Sequence, residues 1–144
     1  VRVIEAEMAC KPGRSFCFVG SSLGGFYATH LAEKHDARAV LINPAIDPDT
    51  GLEPYLGAQR NLYTGESWEL TREHLAEWAS LRVARITPSR YLLLVETGDQ
   101  VLDYRRAVER YAGAKQVVIE GGDHTLKSFP EQIPLLLEFA GFLA

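Results

Sequence analysis

Three side chains in this sequence have the types needed to turn a hydroxyl into a nucleophile: Ser22, Asp99 and His124. A serine hydroxyl attacks an acyl carbonyl poorly until a base takes its proton. A carboxylate behind that base fixes the imidazole tautomer and stabilises the imidazolium that forms. Each of the three follows an apolar run and sits in a glycine-bearing loop: Gly20-Ser21-Ser22-Leu23-Gly24-Gly25, Thr97-Gly98-Asp99-Gln100 and Gly121-Gly122-Asp123-His124. The segment around Ser22 matches G-x-S-x-G, the sharp strand-to-helix turn that lifts a serine hydroxyl clear of a sheet edge. The apolar run Phe16 to Val19 before it and the helix-like run from Phe26 after it supply the setting that the turn requires.

Gly20 and Gly24 are expected to be glycine on steric grounds, because a side chain at either would collide where the backbone doubles back. The first main-chain donor for an oxyanion is expected from the N–H of Leu23, the residue after the nucleophile. A phosphate-cradling loop is excluded for want of a Gly-Lys-Ser/Thr ending. Asp103 rivals Asp99 as the acid but sits where the next helix needs an N-cap. Glu96 lies inside a strand, and Asp123 flanks the histidine. His30, His35 and His74 fall on helices or at a polar end and read as structural.

The elements that must position these groups follow from the apolar pattern. Val1, Ile4 and Met8 share a helical face before Lys11-Pro12-Gly13 ends the helix. Ser15 to Val19 predicts a first strand, Phe26 to His35 a helix, Ala37 to Ile42 a buried strand cut off by Asn43-Pro44. Tyr91 to Glu96 predicts a third strand, Asp103 to Ala112 a helix capped by Gly113, Gln116 to Glu120 a fourth strand, and Ile133 to Leu143 a closing helix announced by Pro130 and Pro134. Alternating strands and helices give a three-layer α/β/α sandwich with a mostly parallel sheet. In such folds functional groups collect beyond the carboxyl ends of the strands. Residues 43–88 are too long for a plain connection. They carry their own helix, Leu70 to Leu81, and four aromatics, Tyr55, Tyr63, Trp68 and Trp78, so they read as a cap-like insertion within one domain spanning 1–144, or as a surface excursion with a local apolar cluster.

Composition limits the partners. The 144 residues contain 15 basic and 19 acidic side chains, a net charge of -4 with no basic cluster, which argues against nucleic acid and anionic membrane surfaces and for a small-molecule partner. No apolar run approaches the roughly 20 residues of a membrane span. Cys10 and Cys17 lack ligand spacing and predict a reducing compartment, here the cytoplasm. The first residue is Val1, not methionine, so the chain is expected to begin inside a longer gene product.

Gly20-Ser21-Ser22-Leu23-Gly24-Gly25, Asn43-Pro44-Ala45, Tyr63-Thr64-Gly65, Thr97 to Tyr104 and Glu120-Gly121-Gly122-Asp123-His124 together resemble the small bacterial YqiA-type esterases of the α/β-hydrolase superfamily. The likeness runs over nearly the whole chain and agrees with the order Ser, Asp, His. It implies hydrolysis of carboxylic esters or acyl thioesters, with Ser22, Asp99 and His124 on the triad positions and with no metal or organic cofactor. The family's first strand, its His-Gly-Phe type loop and the helix and strand that follow have no counterpart here. The resemblance therefore leaves the second oxyanion donor without a source, and losing one such donor costs about 10²–10³ in rate. It also leaves Ser15 to Val19 as an edge that invites a second chain to pair, which predicts a homo-oligomer unless an upstream segment covers it. Two other readings share the same residues: a non-catalytic binding domain on this scaffold, and acyl transfer to an acceptor other than water.

Overall fold

The computed structural model describes residues 1–61 and 64–143. Along the chain these form α1 (Arg2–Ala9), β1 (Cys17–Ser21), α2 (Leu23–Lys34), β2 (Arg38–Ile42), α3 (Pro48–Gly51), β3 (Gly57–Arg60), β4 (Ser67–Leu70), α4 (Arg72–Ser80), β5 (Tyr91–Glu96), α5 (Tyr104–Arg110), β6 (Lys115–Ile119) and α6 (Phe129–Ala140). Two compact units result: Val1–Ile46 with Val83–Ala144, and Asp47–Arg82. Tyr63, part of one quoted motif and of the aromatic set, lies outside the described residues.

The larger unit is built on a four-stranded sheet in the order β1-β2-β5-β6, with every neighbouring pair parallel. Strands β2 and β5 are central. Ala39 to Ile42 and all six residues of β5 are buried, which is why both read as unbroken apolar runs and not as alternation. The pleat sends alternate residues to opposite faces. Ala39, Leu41, Tyr91, Leu93 and Val95 pack under Ala28 and Ala32 of α2 and Ala107 of α5, together with Tyr111 just beyond it. Val40, Ile42, Leu92 and Leu94 face the other way, with Leu126 and with Phe129, Leu135, Leu136 and Phe139 of α6. Helices on both faces of a parallel sheet make the three layers expected from the sequence. Each large aliphatic side chain so buried contributes about 1.5–3 kcal/mol relative to its exposed state.

Several boundaries differ from the sequence expectation. The first strand runs Cys17–Ser21, not Ser15 to Val19, because the ladder continues through polar residues: Gly20 pairs with Leu41 and Ser21 with Ile42. The last helix starts at Phe129, four residues before the expected Ile133. Pro130 occupies its first turn, where no N–H is needed, while Pro134 lies inside the helix and forgoes one backbone bond.

Asp47–Arg82 is a unit of its own, with the short helix α3, an antiparallel hairpin β3-β4 in which Gly57 pairs with Leu70, and α4. The hairpin was not legible in the sequence, since Gly57–Arg60 and Ser67–Leu70 carry no run of β-branched residues. The expected helix Leu70 to Leu81 is shorter, Arg72–Ser80. Thr71 and His74 form a reciprocal capping box at its start, and Leu75 and Trp78 are its buried residues. Arg82 binds Asp49 through Nε and Nη2 at 3.0 and 2.8 Å.

Candidate active site

Ser22 sits between β1 and α2 with φ 53° and ψ -122°, a backbone conformation costly for a residue with a side chain. Neighbouring backbone holds it there. Its N–H donates to Ile42 O at 2.9 Å, and its carbonyl accepts from Gly25 N and Ala45 N, both at 2.9 Å, tying the turn to the end of β2. The close approach falls on Gly20 and Gly25. A Cβ on Gly20 would land on the Gly24 carbonyl and lie 2.7 Å from Gly25 N, and one on Gly25 would come within 2.6 Å of Pro44 Cβ. The steric reason expected for Gly24 is corrected: a Cβ there meets nothing within 4 Å. Gly24 brings its carbonyl to the crowded corner, but its own Cβ position faces open space. Leu23 opens that twelve-residue helix, so its N–H has no intrahelical acceptor and points from the positive end of the helix dipole.

His124 lies in the loop after β6. Its Nε2 is 3.0 Å from Ser22 Oγ, and its Nδ1 is 2.8 Å from Asp99 Oδ2. An ionised carboxylate only accepts, so Nδ1 carries the proton and Nε2 is left to accept from the serine hydroxyl. Asp99, in the turn after β5, has a side chain only 1% exposed, against 20% for His124. Its second oxygen, Oδ1, accepts from the N–H groups of Val101 and Leu102 at 2.8 and 2.9 Å, which fixes the carboxylate's orientation. Residues from three turns that the sequence separates by up to 102 positions thus form one hydrogen-bonded line at the carboxyl ends of β1, β5 and β6.

Two further residues build this edge, and the sequence reading assigned neither a role at the site. Asn43, 2% exposed and at φ 39°, follows directly on β2. Its Nδ2 donates to the carbonyls of Asp123 and His124, both at 3.1 Å, and its Oδ1 accepts from Glu96 N at 3.0 Å. Glu96, 1% exposed, ends β5. Burial alone would raise its carboxyl, yet bonds from Ser128, Asp123 and Lys127 hold it below the ordinary carboxylate value. The only available signal was a polar residue at the end of each of two buried apolar runs, Ala39 to Ile42 and Tyr91 to Val95, which costs free energy unless hydrogen bonds are waiting.

The rival groups are engaged elsewhere. Asp103 caps α5 by accepting from Arg105 N. Asp123 accepts from Thr125 N at 2.9 Å and pairs with Lys127, and Lys127 with Thr125 holds its carboxyl down to about 2. His35 bonds Glu5 at 3.0 Å, and His74 bonds the Thr71 N–H. Among the described residues no group of three or more His, Cys, Asp or Glu side chains could hold a metal ion. No helix of the described residues is long and apolar enough to cross a membrane.

The fold has solved counterparts. A hydrolase candidate from Agrobacterium vitis S4 superposes with a TM-score of 0.72 at 24% identity, covering 96% of this chain and 66% of its own. Est1E from Butyrivibrio proteoclasticus, solved with ferulic acid bound, gives 0.68 at 16%, covering 99% and 64%. A monoacylglycerol lipase from Paleococcus ferrophilus gives 0.59 at 16%, covering 98% and 74%. This chain therefore spans about two thirds of the length of the first two structures, and what the three share with it is the α/β-hydrolase fold. A family model described as Uncharacterised protein family (UPF0227) matches residues 2–141. Since that match takes in almost every residue, the chain belongs to this family, the YqiA-like esterase family.

Proposed function

We propose that this protein is a serine hydrolase that cleaves carboxylic esters or acyl thioesters through an acyl-enzyme on Ser22. The observation that carries the reading is the imidazole of His124, set between Ser22 Oγ at 3.0 Å and Asp99 Oδ2 at 2.8 Å. Ser22 Oγ attacks the acyl carbon while its proton passes to His124 Nε2, and Asp99 stabilises the imidazolium. The oxyanion draws on the Leu23 N–H at the head of α2. Collapse of the tetrahedral species breaks the bond to the leaving oxygen or sulfur, which takes the proton from Nε2. A water molecule then gives its proton to Nε2 and attacks the acyl-serine, releasing the carboxylic acid and restoring the hydroxyl. Among the neighbours of the same fold is a monoacylglycerol lipase, which favours esters among the acyl substrates. Cys10 and Cys17 are both free thiols, in keeping with a reducing, cytoplasmic setting.

The test is hydrolysis of a chromogenic short-chain ester by the wild type and by Ser22→Ala. The variant is expected to fall to the background rate, a loss of about 10⁴-fold or more. Undiminished turnover in Ser22→Ala refutes the assignment.

A further inference from the structure

The histidine loop is short, glycine-led and held from beneath by a charge that the proposed reaction does not use. Glu96 spreads its two carboxylate oxygens across residues on both sides of His124. Oε2 accepts from Asp123 N at 2.7 Å and Lys127 N at 3.1 Å. Oε1 accepts from Ser128 N at 2.9 Å and Ser128 Oγ at 2.7 Å. Among the described residues no buried side-chain oxygen or nitrogen lacks a partner, so the desolvation cost of this carboxylate is offset by those four donors. Gly122 makes room for it: a Cβ there would fall on the Glu96 carboxylate, and the residue stands at φ +69°, which only glycine adopts without strain. Asn43 takes the complementary groups of the same loop, the carbonyls of Asp123 and His124, and is itself joined to Glu96 through the Glu96 N–H.

Resting on the serine-hydrolase reading above, we propose that Glu96 is a positioning residue: its carboxylate clamps the loop backbone at 123 and at 127–128, so that the His124 imidazole is aimed at both Ser22 and Asp99. Placing a carboxylate at the end of a buried strand costs more than placing an apolar residue there. What it supplies is four fixed acceptor directions, which an apolar side chain cannot supply. Proton transfer between Ser22 and His124 depends steeply on separation, and a misplacement of about 1 Å costs on the order of 10²-fold.

Glu96→Gln is the informative change. Whichever oxygen becomes NH₂, a donor then faces a loop N–H, Ser128 N on one arm or Asp123 N and Lys127 N on the other. The folded variant is expected to lose about 10- to 100-fold in kcat with KM within about twofold, and the downfield Nδ1–H proton resonance of His124 is expected to shift or broaden. Ser128→Ala, which removes one donor and leaves the backbone bonds, is expected to lose less, within about fivefold, with a smaller change in the same resonance. A folded Glu96→Gln with kcat within twofold and an unmoved resonance overturns the proposal. Should Glu96→Gln not fold, Ser128→Ala decides it: a loss of about two- to fivefold in kcat with a moved resonance supports the proposal, and kcat within about twofold with an unmoved resonance overturns it. The resonance does not depend on turnover. A Glu96-dependent signal in a wild-type protein that hydrolyses nothing would retain the positioning role and discard the hydrolase reading.

Discussion

Ser22, His124 and Asp99 make three different demands on their surroundings; backbone hydrogen bonds meet those of the serine and the aspartate, and a side-chain carboxylate meets that of the histidine. The serine needs a costly dihedral pair, which Ile42 O, Gly25 N and Ala45 N enforce. The histidine needs its proton on Nδ1, which only an acceptor at Asp99 Oδ2 ensures. The aspartate needs a fixed plane, and the amides of Val101 and Leu102 claim its other oxygen. That last point makes Asp99→Asn a sharp test. The asparagine carbonyl would be drawn to those two N–H groups, turning its NH₂ toward His124 Nδ1. The imidazole would then keep its proton on Nε2 and could not accept from Ser22. Ester hydrolysis at neutral pH is expected to drop by about 10⁴-fold with KM little changed and the thermal melt close to wild type. Measured kcat within tenfold of wild type would show that the carboxylate does not set the tautomer.

At the scale of elements, the junction of β1, α2 and β2 determines where Ser22 stands, and its glycines are not equivalent. Gly20→Ala drives a Cβ into the backbone of α2, which has no flexible end to give way. A loss of about 3 kcal/mol is expected in chemical denaturation. Gly24→Ala adds a Cβ in open space within a helix, so a gain of about 0.5–1 kcal/mol is expected. Equal effects of the two would contradict the geometry of the turn. Strand β5 shows how far apolar pattern alone carries. Tyr91 to Glu96 was readable to the residue because the strand is buried on both faces, so composition and burial coincide. Strand β1 was misplaced by two residues because its ladder ends on Gly20 and Ser21, chosen for the turn and not for burial. Strands β3 and β4 carry no β-branched residue and alternate only over the four residues Ser67 to Leu70, too short a signal to read, and in α6 two prolines suggested a later start than the helix has.

For the molecule as a whole, a carboxylate outside the Ser22–His124–Asp99 line, Glu33, ties its acid stability to the fold. Glu33 on α2 accepts from Thr87 N at 2.6 Å, Thr87 Oγ1 at 3.0 Å, Tyr91 Oη at 2.7 Å and Arg90 Nη1 at 2.5 Å. Burial alone would raise its carboxyl, but Thr87, Tyr91 and Arg90 hold it below the ordinary value of 4.5. A carboxyl whose folded pKa is depressed binds fewer protons in the folded state. Its contribution is therefore present above about pH 4.5 and is lost as the pH falls through the lowered value. Glu33→Gln is expected to cost about 1–2 kcal/mol at pH 7, with the gap to wild type closing below pH 4 in urea melts. A gap that widens in acid would reverse the sign of this account. The meeting of Ser22, His124 and Asp99 was legible because these residue types sit just after apolar runs in glycine loops, in the chain order of the fold. Glu96 and Asn43 escaped notice because their partners are main-chain groups, which sequence does not display. The central claim is that Ser22 is activated by His124, and labelling with a fluorophosphonate followed by peptide mass spectrometry addresses it directly. One adduct, on the Ser22 peptide and absent in folded His124→Ala, is the predicted result; folded wild-type protein that stays unlabelled at Ser22, or a His124→Ala variant labelled as fast as wild type, would contradict it.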